Sequence, residues 1–207
     1  MKKLYKLLHE YEHLIDMDFD ASSEPFIGID TIGYDMMNTE SFNMPKEIYL
    51  RANFNVIPNN TDYPITDLTF PIISKKMIDI LLSVKKINIK YFQTIMIDDT
   101  FLDDYLDENG KLNQNIPLNT SFFAIQFLQV EDVFDYSTSI FKPMRSNPEL
   151  PGIIKKMVLK EPENGFPPLF KIKESLPNIF VSQEAKEALE EQNIKGCIFE
   201  EVEVSQN

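Results

Sequence analysis

The sequence is short of cysteine, histidine and glycine, and each shortage excludes a class of site. It has one cysteine, two histidines and six glycines in 207 residues. The lone thiol, Cys197, cannot form an internal disulfide or a multi-cysteine zinc site, and it suits a reducing compartment. Because Cys197 stands at the start of a predicted strand, we expect it to act as a small buried hydrophobe. Gly28 and Gly33 are isolated, so the sequence contains no glycine-rich phosphate loop.

Basic residues are also too few to balance the acidic ones. The chain has 20 Lys and Arg against 33 Asp and Glu, a formal net charge of −13. Phosphate binding needs a basic face, so this charge argues against nucleic acid as a direct partner and favours a basic protein. The apolar run from Leu4 to Leu8 is broken by Lys6, so we predict neither a cleavable signal nor a membrane partner. The expected location is the cytoplasm.

Two similar stretches organise the chain. Each places a proline before an apolar run, then a serine, an amphipathic helix, Asn-Ile-Lys or Ile-Asn-Ile-Lys, and a strand. The first runs from Phe70 through Ser74 to Phe92, and the second from Pro177 through Ser182 to Phe199. Both serines are predicted helix N-caps. The pattern predicts an α+β fold, with a mixed or antiparallel sheet, few helices and two similar strand–helix–strand units.

Residues 1–15 are compatible with either a helix or a strand, and they contain a possible metal motif. His9-Glu10-Tyr11-Glu12-His13 matches the H-E-x-x-H zinc signature, in which two histidines on one helix face bind the metal and Glu10 acts as general base. In a strand, however, the two histidines would lie about 13 Å apart. These are the only histidines of the chain, so we predict no catalytic, metal or cofactor site.

Acidic clusters are the remaining candidates for a functional site. One lies in a predicted polar loop after a strand, and the other lies on one side of the last helix, opposite Ala185, Ala188 and Leu189. Both could be ordinary solvated surface, and the loop could also hold a divalent cation. The predicted partner-binding residues are Asp98, Asp99, Asp103, Asp104, Asp107, Glu108, Glu184, Glu187 and Glu191.

The closing run resembles the C-terminal signature of a bacterial polymorphic-toxin immunity family, number eleven of those families. The resemblance rests on Phe170-Lys171-Ile172-Lys173, Ile179-Phe180-Val181-Ser182 and Phe199-Glu200-Glu201-Val202, together with Phe70-Pro71-Ile72-Ile73-Ser74 and the acidic turn Gln129–Asp135. It implies a single immunity-type domain, 1–207, with a variable part (1–65) and a family-like part (66–207). It also implies a non-enzymatic protein that binds and neutralises a cognate secreted toxin domain. The alternatives are a metal-dependent hydrolase using the N-terminal motif and an acidic adaptor without a toxin partner.

Overall fold

The computed structural model describes residues 3–11, 19–24, 26, 36 and 48–205. The described chain is an α+β fold with mixed sheets, as predicted. Neither described helix is long and apolar enough to cross a membrane. The strands are β1 (Leu4–His9), β2 (Ala21–Ser22), β3 (Ile48–Ala52), β4 (Ile72–Ser74), β5 (Ile89–Asp98), β6 (Leu118–Asn119), β7 (Phe122–Phe127), β8 (Ile140–Pro143), β9 (Pro151–Lys156), β10 (Val158–Lys160), β11 (Leu169–Phe170), β12 (Ile179–Ser182) and β13 (Cys197–Ser205). The helices are α1 (Lys75–Val84) and α2 (Gln183–Glu191), with short 3-10 helices at Asp99–Phe101 (η1) and Lys173–Ser175 (η2).

The strands form two larger sheets and one two-stranded ribbon. The five-stranded sheet has the order β10-β13-β1-β12-β11, and the six-stranded sheet has the order β2-β3-β5-β7-β4, with β6 beside β5. Strands β8 and β9 pair with each other as a separate hairpin. Parallel pairing occurs between β10 and β13 and between β3 and β5, and the other paired strands are antiparallel.

The first strand settles the ambiguity of the N-terminus. Residues Leu4–His9 form β1, which lies between β12 and β13 and is antiparallel to both. Leu4 and Leu7 are buried in this position. Leu4 and Leu7 point to opposite faces of the strand and enter different core clusters, so β1 is covered on both sides. The helical alternative is wrong for residues 4–9.

Both predicted helix caps are confirmed. Ser74 Oγ accepts a hydrogen bond from Met77 N at 3.1 Å, and Ser182 Oγ accepts one from Ala185 N at 3.2 Å. Each serine satisfies an N–H of the first turn that has no partner inside the helix. Since each serine is also the last residue of a strand, the strand-to-helix turn needs no linker.

The two helices pack between the larger sheets. Met77, Ile78 and Leu81 are the buried residues of α1, while Ala185 and Leu189 are those of α2. These side chains belong to one core cluster with residues of both sheets, including Ile125 and Val181. An apolar arc as wide as that of α1 predicts burial on two sides. The prediction is wrong in part, because Leu82 is 37% exposed and Ile80 and Val84 are only half-buried.

Several apolar runs of the sequence predict strands whose bounds need correction. The run 121–133 predicts one strand, but β7 ends at Phe127, and the run 153–159 predicts one strand that Met157 divides into β9 and β10. The run 169–173 predicts a third, but β11 has only two residues before the chain turns into η2. The run 25–29 predicts a short strand and lies outside the described residues except for Phe26.

Candidate functional site

The acidic loop, residues 98–108, begins where β5 ends. Asp98 Oδ1 accepts hydrogen bonds from Thr100 N at 3.0 Å and from Thr100 Oγ1 at 2.8 Å, so this carboxylate caps η1. Asp99 is only partly exposed, and burial, followed by its hydrogen bond to Asp98, raises the pKa of its carboxyl group. These two aspartates therefore fix the start of the loop.

Asp107 fixes the other end of the acidic loop. Its Oδ1 accepts hydrogen bonds from Asn109 N at 2.8 Å and from Lys111 N at 2.9 Å. The backbone bond from Lys111, and then that from Asn109, hold the pKa of Asp107 below its ordinary value. Gly110 N donates to Asp107 O at 2.9 Å, with Gly110 at φ +72°, so the chain turns here, as an Asn-Gly pair indicates.

The middle of the acidic loop presents its charges to solvent. Asp103, Asp104 and Glu108 are exposed. The backbone around them is held by Asp104 N donating to Phe101 O at 3.1 Å and by Asn113 Nδ2 donating to Asp104 O at 3.0 Å. Three of the six predicted loop residues are thus available to a partner on a fixed backbone, while the other three build the loop.

The second acidic surface is the outer face of α2. Glu184, Glu187 and Glu191 are exposed, while Ala185 and Leu189 on the opposite side are buried. Gln183 Nε2 donates to Glu187 Oε1 at 2.8 Å, which leaves that carboxylate at the surface. The exposed and buried faces of α2 agree with the helical spacing of its glutamates and apolar residues.

These two acidic surfaces belong to different parts of the fold. The acidic loop continues β5 of the six-stranded sheet, whereas α2 connects β12 to β13 of the five-stranded sheet. No sheet carries both. The acidic loop and the outer face of α2 are therefore two separate surfaces. Their relative positions could not be predicted from the spacing of residues along the chain.

The zinc motif does not have its helical geometry at His9. His9 is the last residue of β1, its ring stacks on Tyr63 with 3.8 Å between centroids, and its Nδ1 lies 3.2 Å from Tyr63 O. Glu12 and His13 lie outside the described residues. Within the described ranges, no group of three or more His, Cys, Asp or Glu is arranged to hold a metal ion.

Cys197 begins β13, as expected, but it is half-buried rather than fully buried. Burial, followed by the nearby charges of Asp62 and Glu10, raises the pKa of its thiol well above the ordinary value. A thiol in this state is a poor nucleophile, since the thiolate is the reactive form.

One surface was missed by the sequence reasoning. The hairpin of β8 and β9 carries four basic residues between positions 140 and 156, with Glu149 as its one acidic residue. A local reversal of charge in an acidic chain is the signal that identifies this surface, but the sequence of the segment by itself predicts only a loop followed by a strand.

No family model and no curated protein significantly matches this chain.

Proposed function

We propose that this protein is a non-enzymatic immunity protein that binds and neutralises the effector domain of a cognate secreted bacterial toxin. The observation that carries the proposal is the acidic loop, whose backbone is fixed by Asp98, Asp107 and Asn113 while Asp103, Asp104 and Glu108 remain exposed. The resemblance of the closing run to the toxin-immunity family supplies the kind of partner.

The loop suits recognition of a basic surface. A preorganised loop loses little conformational entropy on binding, because its backbone is already held in place. Exposed carboxylates speed diffusional encounter with a cation-rich partner and fix its orientation. In the proposed mechanism, the protein occludes the active site of a basic toxin such as a nuclease, and the acidic loop and the outer face of α2 steer the encounter.

We further propose that the two strand–helix–strand units are equivalent scaffolds that hold these surfaces. Strands β4 and β5, which flank α1 in sequence, both pair antiparallel with β7. Strands β12 and β13, which flank α2, both pair antiparallel with β1. This shared arrangement supports an equivalence that the matching sequence phrases predicted.

The acidic loop can be tested by reversing its charges one at a time. Asp103→Lys, Asp104→Lys and Glu108→Lys are each expected to slow association with the toxin domain several-fold and to lower its dependence on salt. Stopped-flow association rates at two ionic strengths measure both effects. Glu163→Lys is the matched control, because Glu163 is exposed in another loop and the substitution makes the same change of charge.

Equal association rates for the three loop variants and the Glu163→Lys control would remove the loop from the mechanism. An acidic adaptor without a toxin partner predicts a different result, because the wild-type protein would then form no complex with the toxin domain. The hydrolase alternative gains no support from His9, which lies in a strand.

A further inference from the structure

The hairpin of β8 and β9 exposes apolar side chains that a monomer ordinarily buries. Ile140 is 55% exposed, Ile153 is 60% exposed and Met144 is 40% exposed. Phe141 and Ile154 on the hairpin pack against the core cluster around Phe134 and Phe170. Phe141 and Ile154 thus anchor the hairpin, while Ile140, Met144 and Ile153 leave apolar surface available to a partner.

The charge of this hairpin is opposite to that of the chain. Lys142, Arg145 and Lys155 are exposed on it, and Lys156 Nζ lies 2.8 Å from Glu203 Oε2 of β13. The whole protein has a net charge of −13. A basic segment on so acidic a protein is a localised positive field, which selects partners of negative charge.

A cleft of about 600 Å³ opens beneath the hairpin. Its apolar lining includes Met144, Ile154 and Leu176, and its polar lining includes Lys6, Lys155 and Lys173. The volume is in the range of pockets that enclose a small ligand or a few peptide side chains. The cleft and the hairpin 140–156 at its edge together form one surface, the basic cleft.

One acidic residue of the lining is already engaged. Glu174 has a fully buried side chain, and its Oε1 accepts a hydrogen bond from Tyr136 Oη at 2.7 Å. Lys173 Nζ lies 3.1 Å from Asp132 Oδ1 at the surface. The other acidic lining residue, Glu200, faces Lys6 in the register of β1 and β13. Lys6 and Lys173 are thus matched by nearby carboxylates. The positive charge at the rim of the cleft comes from Lys142, Arg145 and Lys155 of the hairpin.

We propose that the basic cleft binds an extended acidic segment of a partner protein. Apolar residues of the segment enter the cleft beside Met144, Ile154 and Leu176, while its carboxylates pair with the exposed lysines and Arg145. An extended chain fits because alternate side chains point in opposite directions, one set into the cleft and one towards its rim. A concave cleft suits such a chain better than it suits a lipid surface. This surface is separate from the acidic ones, so the proposal does not depend on toxin neutralisation.

Fluorescence anisotropy with the full chain tests the proposal. The probe is a labelled ten-residue peptide that alternates Glu with Leu, and its counterpart alternates Lys with Leu. We expect the Glu peptide to bind at least about tenfold more tightly, and its affinity to fall with added salt. The double variant Lys142→Glu/Lys155→Glu should weaken it at least about tenfold, whereas the matched control Lys86→Glu/Lys111→Glu should not.

A third variant tests the apolar lining of the cleft independently of the charges at its rim. Leu176→Ser changes an exposed apolar lining residue without changing charge, and it should lower affinity for the Glu peptide while thermal unfolding stays unchanged. Equal binding of the two peptides, or equal weakening by the two double variants, would overturn the proposal. So would binding to vesicles of anionic lipid without binding to the Glu peptide. Self-association of the chain that Lys142→Glu/Lys155→Glu abolishes, without peptide binding, would replace it with a homodimer interface.

Discussion

Gly196 occupies a turn that accepts no side chain. Its φ is +78°, in the left-handed region, and a Cβ atom there would collide with Thr61 Oγ1. Thr61 cannot easily move, because it is fully buried and its Oγ1 accepts a hydrogen bond from Tyr63 N at 3.1 Å. We expect Gly196→Ala to lower the free energy of unfolding by about 3 kcal/mol, from backbone strain and steric overlap together. Urea denaturation measures the loss.

Gly110 provides the matched control. Its φ of +72° is similar, but no atom lies within 4 Å of the position that a Cβ would take. Gly110→Ala should therefore cost only the backbone strain, about 1 kcal/mol. Equal losses at the two glycines would show that the contact between Gly196 and Thr61 contributes nothing.

Tyr136 gives the fold a measurable response to alkaline pH. Burial, and then its hydrogen bond to Glu174, raises the pKa of Tyr136 from 10.0 to about 12. The raised pKa contributes stability that is complete below pH 10 and is lost as pH rises towards 12, because the unfolded chain releases this proton first. Tyr136→Phe should remove that contribution, so its free energy of unfolding should fall less than that of the wild type over this range.

Urea denaturation at pH 9 and at the highest pH that allows reversible unfolding measures the difference. The pKa of Tyr63 is also raised by burial, but this residue is present in both proteins and its effect cancels in the comparison. Identical pH profiles for Tyr136→Phe and the wild type would contradict the account of this residue.

At the scale of the element, the two helix caps differ in one respect. Ser74 Oγ also donates to Asp62 Oδ1 at 2.7 Å, and Asp62 Oδ2 accepts from Lys195 N at 3.1 Å. The cap of α1 is therefore tied to the turn before β13, in the other sheet. We expect Ser182→Ala to cost about 1 kcal/mol and Ser74→Ala about 2 kcal/mol. Chemical denaturation of the two variants checks the order, and a larger loss for Ser182→Ala would contradict it.

Local signals in the sequence predicted the helix starts but not the strand ends. The serine caps follow from residue types within one helical turn, whereas the apolar runs 121–133 and 153–159 do not show that β7 ends at Phe127 or that Met157 divides β9 from β10. Long-range pairing could not be predicted in this way, because nothing near Leu4–His9 indicates that this strand lies between β12 and β13, almost 200 residues later. Solvent exposure of the helix glutamates followed from periodicity. The structural roles of Asp98 and Asp107 could not be predicted from the sequence, because they depend on backbone N–H groups that only the folded loop presents.

At the scale of the whole molecule, charge is segregated. The acidic loop and the outer face of α2 carry exposed carboxylates, while the basic cleft concentrates exposed lysines and Arg145 on a separate hairpin. A uniform acidic surface would repel every acidic partner, whereas this arrangement allows a basic partner and an acidic segment to bind at different places. The composition of the chain alone indicated only the binding of a basic partner.

Growth of bacteria that express the cognate toxin domain tests the central claim most directly. Under the proposed function, the toxin domain would be encoded beside this protein. Colony counts are compared with and without co-expression of this protein. The account predicts that the wild-type protein and Glu163→Lys restore growth, and that the combined Asp103→Lys, Asp104→Lys and Glu108→Lys variant protects much less at equal abundance. Failure of the wild-type protein to protect, with both proteins present in the cell, would contradict it.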